Sequence, residues 1–187
     1  MRPIVGDLTP PVDLDRDHWR GGGHAAVTLV EYGDYECTTV AWPSAPSNGW
    51  SSSSAASCGS CSATFLSPPS IPMRSRPPMS SRRPRLQGQF WPMHELLFHC
   101  QKALEDADLL RYVDQLGLDR QCLAVDLEGP SVRQRVQADI DSALASGAQG
   151  TPTLFINGRL HLGGYDEATL GAALAAAITA RGGRSKP

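Results

Sequence analysis

Cys37 is the residue best placed for chemistry in this sequence, because a strand pattern and a turn signal precede it. Val27 to Val30 is an apolar, β-branched run typical of a buried strand, and Gly33-Asp34 favours a turn. A cysteine that begins the following helix lies near unpaired backbone amides, which favour the thiolate. These features predict a nucleophilic thiol at Cys37, with Glu36 as a candidate for tuning it. The alternatives are a buried, unreactive Cys37 and a Glu36 that merely faces solvent.

Two other arrangements of cysteine could carry chemistry, but their context is poor. Cys58-Gly59-Ser60-Cys61 is a literal Cys-X-X-Cys motif, yet no buried strand precedes it and no helix pattern follows it. A zinc site would need these two cysteines together with the His94, His99 and Cys100 group, whose spacing does not match a zinc motif. We therefore predict no metal. Cys100 and Cys122 lie in helical patterns and are most simply packing residues.

Composition excludes several classes of function. The 187 residues carry a net charge of −2, which gives no electrostatic reason to expect binding to nucleic acid or to an anionic membrane. No apolar run approaches the length of a membrane span. Residues 1–7 contain no apolar core of signal-peptide length, so we expect a cytoplasmic location. Five irregularly spaced cysteines do not form a secreted disulfide framework, and nothing indicates a cofactor.

Residues 38–88 differ in kind from the rest of the chain. They contain a serine run at 51–54 and recurring prolines, and no Asp or Glu occurs between Glu36 and Glu95. Neither helical nor strand periodicity persists, so the composition predicts an irregular, poorly packed segment. A genuine disordered insertion is one explanation of this composition.

A frame error is the other explanation. Residues 57–65 can be encoded so that a one-nucleotide shift gives Lys-Leu-Arg-Phe-Val-Phe-Arg-His-Phe, which is an amphipathic strand pattern. The same shift carried onward permits a turn and then an Ala-rich helical run. Because back-translation is degenerate, this match depends on the choice of codons. The hypothesis is a pair of compensating frame errors, one just after Cys37 and one near Gly88.

From Gln89 onward the patterns become regular. Apolar residues at helical spacing predict four helices, over 90–98, from Asp106 to Gly117, over 119–127 and over 131–145. Thr153 to Ile156 is a strand pattern, and Asn157-Gly158 is a strong signal for a hairpin turn before a returning strand. Asp166 is a cap for a last helix that begins at Glu167 and ends near Ala180.

This order of elements resembles the DsbA-like branch of the thioredoxin superfamily. Three blocks carry the resemblance: Val-Thr-Leu-Val-Glu-Tyr-Gly-Asp-Tyr-Glu-Cys at 27–37, Gln-Phe-Trp-Pro-Met-His-Glu-Leu-Leu-Phe at 89–98, and Gly-Thr-Pro-Thr-Leu-Phe-Ile-Asn-Gly at 150–158. The resemblance implies an α/β fold, a thioredoxin-like sheet with an inserted helical domain. It implies a single domain over 27–180 after an extended lead-in at 1–26, with a tail at 181–187. Within it, 27–37 and 153–180 form the thioredoxin core and 89–147 the helical insertion.

The resemblance also implies roles for individual residues. Cys37 matches the first cysteine of the family's Cys-X-X-Cys pair, which attacks a substrate disulfide. The second position, residue 40, is valine here, although the shifted frame over Thr39-Val40 permits a reading that contains Cys-Gly. Pro152 is expected to be a cis proline, with Thr151 positioning substrate beside Cys37.

The resulting prediction is a thiol–disulfide oxidoreductase that acts on protein thiols and disulfides through Cys37. As printed, the chain is expected to be impaired, because the resolving cysteine is missing. Two alternatives remain open: a non-catalytic thioredoxin-fold module that binds peptides, and a glutathione-dependent transferase or isomerase on the same scaffold. Glutathione is therefore included among the expected partners.

Overall fold

The computed structural model describes residues 6–21, 25–37, 58–65, 89–121, 123 and 130–182. The strands are β1 (Trp19–Arg20), β2 (Val27–Gly33), β3 (Cys58–Phe65), β4 (Thr153–Ile156) and β5 (Arg159–Leu160). The helices are α1 (Phe90–His99), α2 (Asp106–Gln115), α3 (Pro130–Ala145) and α4 (Glu167–Gly182). Strands and helices pack together as in the expected thioredoxin-like α/β fold. The predicted helix over 119–127 lies largely outside the described residues.

The strands form one sheet in the order β1-β3-β2-β4-β5. β2 is buried along almost its whole length, which explains its continuous apolar run. It pairs in parallel with β3 and antiparallel with β4, where Leu29 lies opposite Ile156 and Tyr32 lies opposite Thr153. Because β2 lies in the middle of the sheet, its carboxyl end is fixed from both sides.

β3 corrects the expectation that residues 38–88 are irregular. Residues 58–65 form an eight-residue strand between β1 and β2, and the remainder of 38–88 lies outside the described residues. Its sequence, Cys-Gly-Ser-Cys-Ser-Ala-Thr-Phe, has little strand propensity. β3 is stabilised by backbone pairing with β1 on one side and β2 on the other. Hydrophobic periodicity in the sequence does not report this pairing. The register shifts once, between Leu29 and Glu31 of β2.

The hairpin between β4 and β5 follows the Asn-Gly prediction. Asn157 and Gly158 both have positive φ angles, 51° and 78°, as a two-residue hairpin turn of this kind requires. The Asn157 side chain also accepts a hydrogen bond from the backbone amide of Thr28 at 2.9 Å. The turn therefore ties the hairpin to the start of β2.

The sheet has a core on each face. On one face, apolar residues of β2 and β4 pack against α4; these residues are Val27, Leu29, Leu154, Leu170 and Leu174. On the other face, the same two strands pack against α3 with Val30, Tyr32, Phe155 and Ala143. The alternation of adjacent residues between the faces is the two-residue period of a strand.

The helical part has a separate core. Met93 of α1 packs against Tyr112 and Val113 of α2 and against Leu123. α2 begins at Asp106, where the sequence predicts it, and Glu105 is its N-cap and forms a capping box with Asp108. Gly117 ends this region in the left-handed conformation, with a φ of 65°.

The N-terminal segment 6–20 is bound to the domain rather than simply leading into it. Its backbone pairs with the β4–β5 hairpin through Leu8, which donates to the Gly158 carbonyl at 2.7 Å. A buried ion-pair cluster fastens it to α3, because Arg135 contacts Asp17 at 3.1 Å and Asp139 at 2.7 Å. The segment then contributes β1, a strand that the sequence patterns do not predict.

Candidate active site

The turn that carries Cys37 begins where β2 ends. The Cys37 amide donates to the Asp34 carbonyl at 3.1 Å, and the Glu36 amide donates to the Asp34 carboxylate at 2.9 Å. The short Asp34 side chain therefore holds the turn by bonding to the backbone two residues on. Burial raises the pKa of Asp34, while the hydrogen bond from Glu36 opposes that rise.

The sulfur of Cys37 lies against the loop before β4. The thiol Sγ donates to the carbonyl oxygen of Thr151 at 3.3 Å, and the Thr151–Pro152 peptide bond is cis. The Thr153 hydroxyl donates to the Gly150 carbonyl at 2.6 Å and closes the same loop. Residues 114 positions apart in the sequence are thus brought into contact at one end of the sheet.

The backbone of Cys37 is also held from the helical part of the chain. The Gln101 side-chain amide donates to the carbonyl oxygen of Cys37 at 3.1 Å. Gln101 belongs to the turn that follows α1. Cys37 is therefore contacted by two loops, one from each half of the fold.

Glu31 places a carboxyl group inside the sheet, six residues before Cys37. The residue is 8% exposed, and one of its oxygens, Oε1, has no hydrogen-bond partner among the described residues. Burial raises the pKa of Glu31 to about 7, against an opposing effect of the nearby positive charge of Arg20. Such a group can gain or lose a proton near neutral pH.

An aromatic cluster packs beside this carboxyl. The Tyr35 hydroxyl and His94 Nδ1 are 3.3 Å apart, and the ring of Phe90 stacks on His18 with centroids 3.6 Å apart. Burial lowers the pKa of His94 to about 3, with the charges of Arg20 and His18 acting in the same direction. A neutral, buried His94 is suited to packing against the surrounding aromatic rings rather than to acting as a base.

The structure brings three of the predicted site residues together and leaves the fourth exposed in the turn beside Cys37. Cys37, Thr151 and Pro152 are neighbours, whereas Glu36 is an exposed residue of the turn. Val40 and the helix expected to follow Cys37 lie outside the described residues. Cys58 and Cys61 both lie on β3, where three residues span about 10 Å between Cα atoms, too far for a disulfide.

Sequence reasoning missed two residues of this region. Glu31 is a charged residue within an otherwise apolar strand pattern, and that contrast is a usable signal. Gln101 follows a helix in an ordinary polar loop, and its contact with Cys37 depends on how the helical part packs. No sequence pattern indicates it.

Comparison with protein families identifies the fold independently. A model described as a DSBA-like thioredoxin domain matches residues 79–175, more than half of the chain. The chain belongs to this family. The match covers all four helices in part or whole and the Thr151–Pro152 loop, and it lies C-terminal to Cys37. Family membership supports a thiol–disulfide oxidoreductase kind of activity.

Solved structures agree with this DsbA-like fold. Alpha-DsbA1 from Wolbachia pipientis is similar with a TM-score of 0.75 and 15% identity, over 94% of this chain and 97% of that one. A periplasmic thioredoxin-like protein from Salmonella enterica serovar Typhimurium is similar with a TM-score of 0.70 and 20% identity, over 87% of this chain and 90% of that one. At these identities the likeness concerns the fold.

A relative with higher sequence identity is a longer protein. The Na(+)/H(+) antiporter NhaA from Herminiimonas arsenicoxydans is 39% identical over 174 residues, which are 93% of this chain and 27% of that relative. The chain thus spans about a quarter of the length of the curated relatives it matches. Within the described ranges, no helix has the length and apolar character needed to cross a membrane.

The expectation of a cytoplasmic location is wrong. It was based on residues 1–7 alone, and the structural relatives point away from it, since one of them is a periplasmic protein.

Proposed function

We propose that this DsbA-like domain exchanges disulfides with protein substrates through Cys37, with Thr151 and Pro152 positioning the substrate. The observation that carries the proposal is the 3.3 Å contact between the Cys37 sulfur and the Thr151 carbonyl. It supports a thiol lying beside backbone groups that can pair with an extended peptide. The family's thiol–disulfide oxidoreductase character agrees with this assignment.

The proposed step is a thiol–disulfide exchange. The Cys37 thiol gives up its proton, and the thiolate attacks one sulfur of the substrate disulfide. A new bond forms between Cys37 and that sulfur, the substrate S–S bond breaks, and the second substrate sulfur leaves as a thiolate that takes up a proton. The two electrons of the broken bond remain on the leaving sulfur.

Release of the mixed disulfide is the impaired step. A second thiol of the chain would normally attack Cys37 and free the substrate, but residue 40 is valine. A thiol from outside the chain must then attack the mixed disulfide. The printed chain is therefore proposed to react once and to turn over slowly.

Glu36, which is exposed, is proposed to affect the thiolate of Cys37 through its negative charge alone.

A peptide-binding module is the second candidate, and the valine at position 40 favours it. A module of this kind would hold peptides at the Thr151–Pro152 loop without covalent chemistry. Alkylation of Cys37 separates the two candidates, because a binding module retains its peptide and an oxidoreductase loses all exchange.

The test is formation of a mixed disulfide between the reduced Cys37 thiol and disulfide-bonded insulin, detected by mass spectrometry. Cys37→Ser should abolish the adduct. Cys100→Ser, which changes a cysteine packed in the helical core, should leave it intact. Adduct formation that survives Cys37→Ser would overturn the proposed function.

A further inference from the structure

Gln101 occupies a turn that is itself held in place. The turn begins at Cys100, whose carbonyl accepts a hydrogen bond from the Ala103 amide at 2.8 Å. The Tyr112 hydroxyl of α2 donates to the Ala103 carbonyl, also at 2.8 Å. Tyr112 is 5% exposed and lies in the core of the helical part. The position of Gln101 is therefore set by the packing of α1 against α2.

The hydrogen bond from Gln101 acts on the backbone of Cys37. A carbonyl oxygen that is partly withdrawn from water needs a donor, and the Gln101 amide supplies one at 3.1 Å. Fixing this carbonyl restricts the ψ torsion of Cys37 and with it the direction of the Cα–Cβ bond. The same residue directs its sulfur at Thr151. Cys37 is thus held at two atoms, its carbonyl oxygen by a donor and its sulfur by an acceptor.

We propose that Gln101 is a positioning residue that holds Cys37 toward the Thr151–Pro152 loop, and that Tyr112 acts through it by holding its turn. This inference deepens the proposed function and rests on it, since it assumes that Cys37 reacts with peptides aligned on that loop. Gln101 does not touch the reacting sulfur. Its effect is expected on peptide substrates, which need alignment, and not on small reagents, which need only an accessible thiolate.

The experiment compares two probes that share a leaving group. One is a cysteine peptide whose sulfur carries thionitrobenzoate, and the other is the small disulfide of thionitrobenzoate alone. In both, the Cys37 thiolate attacks a disulfide sulfur, the S–S bond breaks, and thionitrobenzoate leaves as a coloured thiolate. The rate measured with Cys37→Ser is subtracted, so that the other cysteines do not contribute.

The principal variant is Gln101→Met, which keeps the length of the side chain and removes the donor. Loss of one hydrogen bond predicts that the peptide probe reacts about three- to ten-fold more slowly. The small probe should change less than twofold. Gln115→Met makes the same substitution at an exposed position on α2 and should change neither rate. Should Gln101→Met fail to fold, Gln101→Asn, one methylene too short to reach, replaces it.

A second variant tests the role of Tyr112. Tyr112→Phe removes only the hydroxyl that holds the turn and should slow the peptide probe in the same direction. The double variant should be no slower than Gln101→Met alone, because both changes act through one contact. Thermal unfolding of each variant shows whether the fold is retained.

The outcomes separate this inference from the proposed function. If the unmodified chain shows no preference for the peptide probe over the small one, the proposed function fails. If that preference exists and Gln101→Met retains it in full, the positioning role is refuted. Equal slowing of both probes by Gln101→Met would show a general disruption of the site and would also refute it.

Discussion

Replacing Glu31 with Gln should change how stability depends on pH. The pKa of this carboxyl rises from 4.5 to about 7 on folding, because burial disfavours the charged form. Below pH 4.5 the group is protonated in the folded and unfolded states, and its full contribution to stability is present. As the pH rises to 7, the unfolded state loses its proton first, and stability is lost until the folded state ionises as well.

The size of the effect follows from that pKa interval. Each pKa unit corresponds to about 1.4 kcal/mol, so the interval from 4.5 to about 7 corresponds to roughly 3 kcal/mol. The unmodified chain should therefore lose roughly 3 kcal/mol between pH 4 and pH 8 relative to Glu31→Gln. Only this difference between pH values is compared, since the buried glutamine amide has its own cost at every pH.

Urea unfolding followed by circular dichroism at pH 4, 6 and 8 measures the difference. Glu167→Gln, at an exposed position in the first turn of α4, is the matched control and should follow the unmodified chain. Parallel stability curves for the unmodified chain and Glu31→Gln from pH 4 to pH 8 would show that the carboxyl is not desolvated, and the reasoning would be refuted.

Three further predictions concern other parts of the molecule. Burial lowers the pKa of His94 from 6.5 to about 3, so its contribution to stability should be lost as the pH falls below 6.5, by about 3 kcal/mol at pH 4. In urea unfolding, His94→Phe should lose less stability than the unmodified chain between pH 7 and pH 4. An equal loss in both proteins would contradict this prediction. Arg135→Met removes the ion-pair partner of the buried Asp139, while Asp17 keeps its pair with Arg16 at 2.9 Å, and should lower stability by about 3 kcal/mol in thermal unfolding. Arg111→Met, which changes an exposed arginine, should alter stability little. Replacing residues 38–88 with the frame-shifted sequence, which supplies a cysteine at position 40, should raise insulin reduction; equal activity before and after the replacement would count against a frame error.

The sequence predicted those parts of the fold in which local chemistry and tertiary structure agree. Local sequence alone favours the observed conformation in three places: β2, the Asn157-Gly158 turn and the cap at Asp166. At the cap, the Asp166 carboxylate accepts a hydrogen bond from the Thr169 amide at 2.9 Å. β1 is two residues long, and among the described strands its one partner is β3, so its sequence is too short to show a strand periodicity.

Some residues of the candidate site can be predicted from the sequence, and others depend on tertiary packing. The Cys37 turn is predicted from a local strand–turn pattern and the Thr151–Pro152 loop from the resemblance to the DsbA-like family, and in the structure the Cys37 sulfur lies 3.3 Å from the Thr151 carbonyl oxygen. Gln101 reaches Cys37 across 64 positions of sequence through the packing of α1 and α2. Glu31 can be picked out from the sequence, because burying a charged residue within an apolar strand costs free energy unless something compensates for it.

β3, whose residues have little strand propensity, links β1 to the rest of the sheet. β3 is the sole link between β1 and the other strands of the described sheet, since β1 pairs with β3 and β3 with β2. If β3 leaves, the parallel edge of β2 becomes open to any extended chain of suitable register. The domain could then accept a strand supplied in trans, either from a second copy or from an added peptide. Cys37, four residues beyond the end of β2, would then follow a strand whose neighbour on that edge had been replaced.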